Sequence, residues 1–201
     1  MRNLILSLIF AVLAPSAASA ESVSDRIAAA AAEQTRVTRI YDPAYVRLAY
    51  PGGDVPPDRG VCTDVVIRAL RAVGVDLQKE VHEDMRANFS AYPRHWGARR
   101  PDPNIDHRRV PNLETFFTRK GARLPSSRAY ADFLPGDVVS WNLKSDGSYQ
   151  GHIGVVSNVR TRSGRPLIVH NIGAGAKTED VLFNWTMTGR FRPGRLVEPA
   201  D

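Results

Sequence analysis

Apolar positions along this 201-residue chain follow one period up to about Leu134 and another after it. The first half is helical. In "SVSDRIAAAAAEQTRV", Ser22 or Ser24 supplies an N-cap ahead of an alanine-rich run. Residues 41–60 carry many Pro, Gly and Asp and predict a loop. Val65, Val66, Ala69, Leu70 and Val73 then share one helical face, with Asp58 as a possible cap and Gly74 as the stop. Residues 77–89 predict another helix, and 110–121 a further one with Pro111 in its first turn and Gly121 at its end. Beyond Leu134 the period is two. "GDVVSW" (136–141), "HIGVVS" (152–157) and "PLIVH" (166–170) read as strands separated by turns, with a last strand or two at "LFNW" and "GRFR". The order, helices and then an antiparallel meander, predicts an α+β fold in which N-terminal helices pack on an antiparallel sheet.

The extreme N-terminus changes the expected compartment. Arg2 precedes an apolar run, Leu4–Ala14, that is too short to stay in a bilayer, and Ala18-Ser19-Ala20 has the A-x-A form of a cleavage site. Residues 1–20 are therefore expected to be a Sec-type signal peptide and 21–201 a single domain, periplasmic or secreted. No cysteine follows the apolar run, so a lipoprotein is not expected, and no later stretch is apolar enough for stable membrane insertion. The formal charge is +6, one unit of it from Arg2, and only four of the 27 basic residues are lysine. An arginine-rich surface suits carboxylates or phosphates, which outside the cytoplasm means cell-wall peptides, anionic polysaccharides or membrane surfaces rather than nucleic acid. A monomer is expected, and a regulatory protein partner is left open.

Cys62 is the only cysteine, so no intrachain disulfide exists. It falls at the predicted start of a helix, where unpaired amides lower a thiol pKa and can receive an oxyanion. Of the five histidines, His152 begins a strand, with Gly154 beside it on the same face, and His170 closes the next strand. That spacing fits a thiol nucleophile with an imidazole base oriented by a third group, but it equally fits a small buried cysteine and structural histidines. Asp102, Asp106 and His107 match neither a zinc nor a calcium pattern, and "GAGA" (173–176) lacks the lysine of a phosphate loop and reads as a flexible turn. No metal or cofactor is expected.

These residues resemble NlpC-type cell-wall hydrolases, circularly permuted relatives of papain that cleave bacterial peptidoglycan peptides. "YPGGDVPPDRGVCTDVVIRAL" resembles their Tyr–Gly-Gly–Cys-helix segment, "LPGDVVSW" the strand before the catalytic histidine, and "GHIGVV" and "IVHNIG" the histidine strand and its successor. The chain also resembles a bacterial branch of them without assigned activity, through "CTDVVIRA", "IDHRRVPNL" and "VHNIG". The resemblance implies a papain-like fold and a cysteine peptidase or amidase, with Cys62 as nucleophile, His152 as base and acid, and His170 as orienting group. Tyr50 takes the place of a substrate-side tyrosine. Asn171 is the alternative orienting residue or a substrate contact. Two departures stand out: Val61-Cys62-Thr63-Asp64 replaces the usual Asp-Cys-Ser-Gly, and about residues 76–130 are inserted between nucleophile and base. In that insert Arg108 or Arg109 is expected to clamp a carboxylate of a peptidoglycan stem peptide, with Trp96 as an apolar wall. The competing readings are a non-catalytic peptidoglycan-binding module of the same fold and a zinc amidase.

Overall fold

The computed structural model describes residues 21–197. The expected signal peptide lies outside them, and no helix among the described residues is long and apolar enough to cross a membrane. Helix α1 (Val23–Val37) is capped by Ser22, whose hydroxyl accepts the Asp25 N–H at 3.1 Å. Its small residues Ala28 and Ala31 let it lie close against its neighbours, and Gln34 donates to the Val65 carbonyl at 2.9 Å. The chain then forms a two-residue parallel pair, β1 (Ile40–Tyr41) with β2 (Arg59–Gly60), which closes the intervening loop. Helix α2 (Cys62–Arg71) follows at once. Its N-cap is Val61 rather than Asp58; Asp58 instead pairs its carboxylate with Arg59.

Helices α3 (Leu77–Asn88) and α4 (Val110–Arg119) come from the segment expected to be an insertion, yet they are part of the main core. Leu77, Val81, Met85, Leu113, Phe116 and Phe117 are buried together with Val65, Val66 and Leu70 of α2. Burial of each such large side chain contributes roughly 1.5–3 kcal/mol, so the segment cannot be removed without opening the core.

Five antiparallel strands follow: β3 (Val138–Asn142), β4 (Gly151–Arg160), β5 (Pro166–Asn171), β6 (Ala176–Glu179) and β7 (Thr186–Phe191), in the order β6-β5-β4-β3-β7. Two of these differ from the sequence reading. "GAGA" is not merely a turn: Ala176 starts β6, its N–H bonded to the Thr38 carbonyl at 2.9 Å. "LFNW" is not a strand. Leu182, Phe183 and Trp185 instead lie over the sheet and cover Val139, Trp141, Val156 and Ile168 on one face. The other face, with Val138, Ile153, Val155 and Val169, packs on the helices. Strand alternation thus separates a helix-side core from a loop-covered one.

Candidate functional site

The site begins with how α2 is aimed. Valine cannot cap a helix through its side chain, so Asp64, in the first turn, reaches back and accepts the Val61 N–H at 2.6 Å. A buried carboxylate needs a counter-charge. Arg108 supplies it two-pronged, Nε to Oδ1 and Nη2 to Oδ2, both at 2.9 Å, with both side chains almost wholly enclosed. Two further guanidinium donors go to the carbonyls of Ala44 and Asp42, and Thr63 donates to the Arg108 carbonyl. Four of the five guanidinium donors of Arg108 are thus committed inside the protein, so its two-pronged grip goes to Asp64 rather than to the expected substrate carboxylate, and it fixes the helix bearing Cys62. Gly60 is part of the same device. Its φ is +157°, and a Cβ there would sit 2.8 Å from Asp64 Oδ2. Arg68 completes the support, donating to Asp54 and to the carbonyls of Val55, Pro56 and Arg59.

Cys62 lies in the floor of a cleft of about 340 Å³, 7% exposed. Around it stand Tyr41, Pro43, Trp96, Ile105, Arg109, Tyr149 and Gly151. Tyr41 and Tyr149 went unnoticed in the sequence, where neither sits in a motif. Trp96 does line the cleft; it adopts φ +59° and carries the Arg109 guanidinium 4.5 Å above its ring. Both Arg108 and Arg109 line the cleft; Arg108 is tied up with Asp64, whereas Arg109 has Asp106 3.5 Å away as its ion-pair partner. Tyr50 does not reach the cleft: its ring packs edge-on against His82 of α3 at 5.2 Å.

The thiol is held neutral. Burial pushes its pKa up to about 12, and the N–H groups of Ile153, Thr63 and Cys62 itself offset this only in part. Ile153 is the residue after His152. Cys62 and Ile153 share the helix-side core, whereas His152 stands on the other face of β4, its ring stacked on Trp141. Thiol and imidazole thus meet adjacent residues of one strand end, and no hydrogen bond joins them. Gly151, the residue before His152, lines the cleft, where a Cβ would come 2.6 Å from Tyr149 Oη and 3.0 Å from Val110.

On its own face His152 is engaged. Its Nε2 lies 2.8 Å from His170 Nδ1, and Trp185 stands edge-on to both rings at 5.7 and 6.3 Å. Trp185 also borders a larger groove, about 760 Å³, on the loop-covered side. Burial, reinforced by His170, pulls the His152 pKa down to about 3; burial likewise lowers that of His170, against the opposing pull of Glu179. Asn171 faces the other way, fully buried, and donates to the Gly60 carbonyl at 2.9 Å. Between the two candidates for orienting His152, the one in contact is His170. Asn171 is neither that nor a cleft residue, but a strut from the sheet to the loop that delivers Cys62. Among the described residues no three His, Cys, Asp or Glu side chains converge as metal ligands.

A family model described as "Domain of unknown function (DUF1287)" matches residues 28–193. Over 166 residues the chain is 60% identical to the "Uncharacterized protein YijF" of Escherichia coli (strain K12), covering 83% of this chain and 80% of that one. Among solved structures, NlpC1 from Trichomonas vaginalis is similar with a TM-score of 0.47 at 12% identity; the match covers 88% of this chain but only 46% of that one. With the family match and YijF both spanning most of its length, this α+β chain belongs to the DUF1287 family.

Proposed function

We propose that the protein is an exported thiol hydrolase acting on amide bonds of peptidoglycan stem peptides. The observation that carries this is the meeting of two devices at one strand end. A cysteine at a helix N-terminus lies in the floor of an open cleft, and its sulfur faces the amide next to a histidine already oriented by a second one. In this reading Cys62 Sγ attacks the scissile carbonyl while His152 Nδ1 takes its proton. The oxyanion is received by amides at the start of α2, and His152 then protonates the leaving amine. Water hydrolyses the thioester and restores the thiol. Because the resting pair is neutral, the proton leaves sulfur as attack occurs, with the ring reaching past Gly151. Trp96, Tyr41 and Tyr149 flank the peptide, and Arg109 meets a stem carboxylate. The substrate class rests on the resemblance of the Cys62, His152 and His170 segments to NlpC-type hydrolases and on the arginine-rich charge.

One observation favours the second reading, a binding module without catalysis: a thiol held at about 12 with no hydrogen bond to the His152 ring. Incubating the protein, beside Cys62→Ala and His152→Ala, with isolated peptidoglycan and identifying released fragments by mass spectrometry separates the two. Fragments that need both residues support the hydrolase and name the bond. Wall binding by all three proteins, with nothing released by any, refutes it in favour of the binder.

A further inference from the structure

We infer that Glu179 is a positioning residue that sets the tautomer of His152 through His170; this rests on the hydrolase reading for its consequence, though not for its geometry. Glu179 lies on the edge strand β6, diagonal to His170 in the β5–β6 ladder, where Ile168 pairs with Glu179 and His170 with Lys177. Its Oε2 is 2.9 Å from His170 Nε2. The ring N–H is not aimed straight at that oxygen, yet no other acceptor reaches this buried nitrogen. The groups facing His170 are Glu179, Lys177, His152 and Trp185, and of these Lys177 and Trp185 carry donors only.

An ionised carboxylate accepts and cannot donate, so the proton of a neutral His170 belongs on Nε2. Its Nδ1 then presents a lone pair. The 2.8 Å contact from His152 Nε2 must in consequence carry the His152 proton, which leaves His152 Nδ1 as the basic nitrogen. Nδ1 is the ring nitrogen nearer the backbone of β4, on whose next residue the Cys62 sulfur rests. One half-exposed glutamate thus decides, two rings away, which nitrogen of His152 is free to take a proton.

The test is ¹⁵N-histidine NMR of the resting protein, with Glu179→Leu and Glu179→Gln. Glutamine keeps an acceptor oxygen but not the charge. The expected result is a His152 Nδ1 shift of the unprotonated type in wild type and Glu179→Gln, lost or mixed in Glu179→Leu. A protonated Nδ1 in wild type, or an unchanged pattern in Glu179→Leu, overturns the inference. On peptidoglycan, Glu179→Leu should lower kcat about tenfold with KM unmoved, and Glu179→Gln should restore it. A wild type with no activity but the expected shifts would refute the hydrolase reading and leave the tautomer assignment standing.

Discussion

Replacing Arg108 by alanine tests how the helix bearing Cys62 is held. The substitution leaves Asp64, whose side chain is 3% exposed, with the Val61 N–H as its remaining polar partner. Stranding one member of a buried ion pair costs about 3–5 kcal/mol, far above the near-zero value of an exposed pair. With a urea slope near 2 kcal/mol per molar, the unfolding midpoint should fall by ~2 M at constant slope. The control is the double variant Asp64→Leu with Arg108→Met. Removing both charges removes the stranded carboxylate, so it should recover all but about 1–2 kcal/mol, the remainder being the Val61 N–H left without an acceptor. Circular dichroism at a series of urea concentrations measures both. A loss under about 1 kcal/mol for Arg108→Ala, or a double variant as unstable as the two single losses added, would refute the buried-pair argument and return Arg108 to the role of a free clamp.

Other outcomes follow from the same geometry. Arg109→Ala should raise KM for peptidoglycan fragments roughly tenfold at near-constant kcat, because it removes a cation from the cleft wall, and should cost about 1–3 kcal/mol of stability, because the buried Asp106 carboxylate then keeps only the Asp102 N–H; an unchanged KM removes it from the substrate. Burial lowers His152 to about 3 and His107 to about 4, so the unfolded chain binds protons first. Stability present above pH ~6.5 should therefore be lost as pH falls toward 4, and the loss should be shallower in His107→Gln; urea midpoints at stepped pH decide it. Cys62 is shifted the other way, so stability should fall as pH rises above about 9 in wild type and less steeply in Cys62→Ala. Trp141→Phe gives up the indole bond to the Leu182 carbonyl, 2.9 Å, and should cost about 1–3 kcal/mol; a smaller cost shows that water replaces it.

The helices were legible because each carries its apolar face and punctuation in adjacent residues: Ser22 before α1, Pro111 and Gly121 around α4. The strands from Val138 to Asn171 were legible for the same reason, through β-branched alternation. Strand β6 was not, since Ala-Lys-Thr-Glu has little strand propensity and is held by a carbonyl at the end of α1. Aromatic "LFNW" has the composition of a strand, yet its rings are used to cover one. In the candidate site, local context in the sequence singles out Cys62, His152 and His170. Their supports are not legible there, because Asp64 and Arg108 meet across 44 positions and Asn171 and Gly60 across 111. Only the closed fold brings those side chains together.

A thiol held near 12 also has a chemical consequence while the cleft is empty. Burial raises the thiol pKa far above neutral pH, so the thiolate is scarce, and it is the thiolate that peroxide, disulfides and alkylating agents attack. Cys62 should therefore survive long exposure to oxidants that consume an ordinary surface cysteine. Burial that postpones ionisation acts as a preservative, keeping the sulfur reduced until something occupies the cleft beside it.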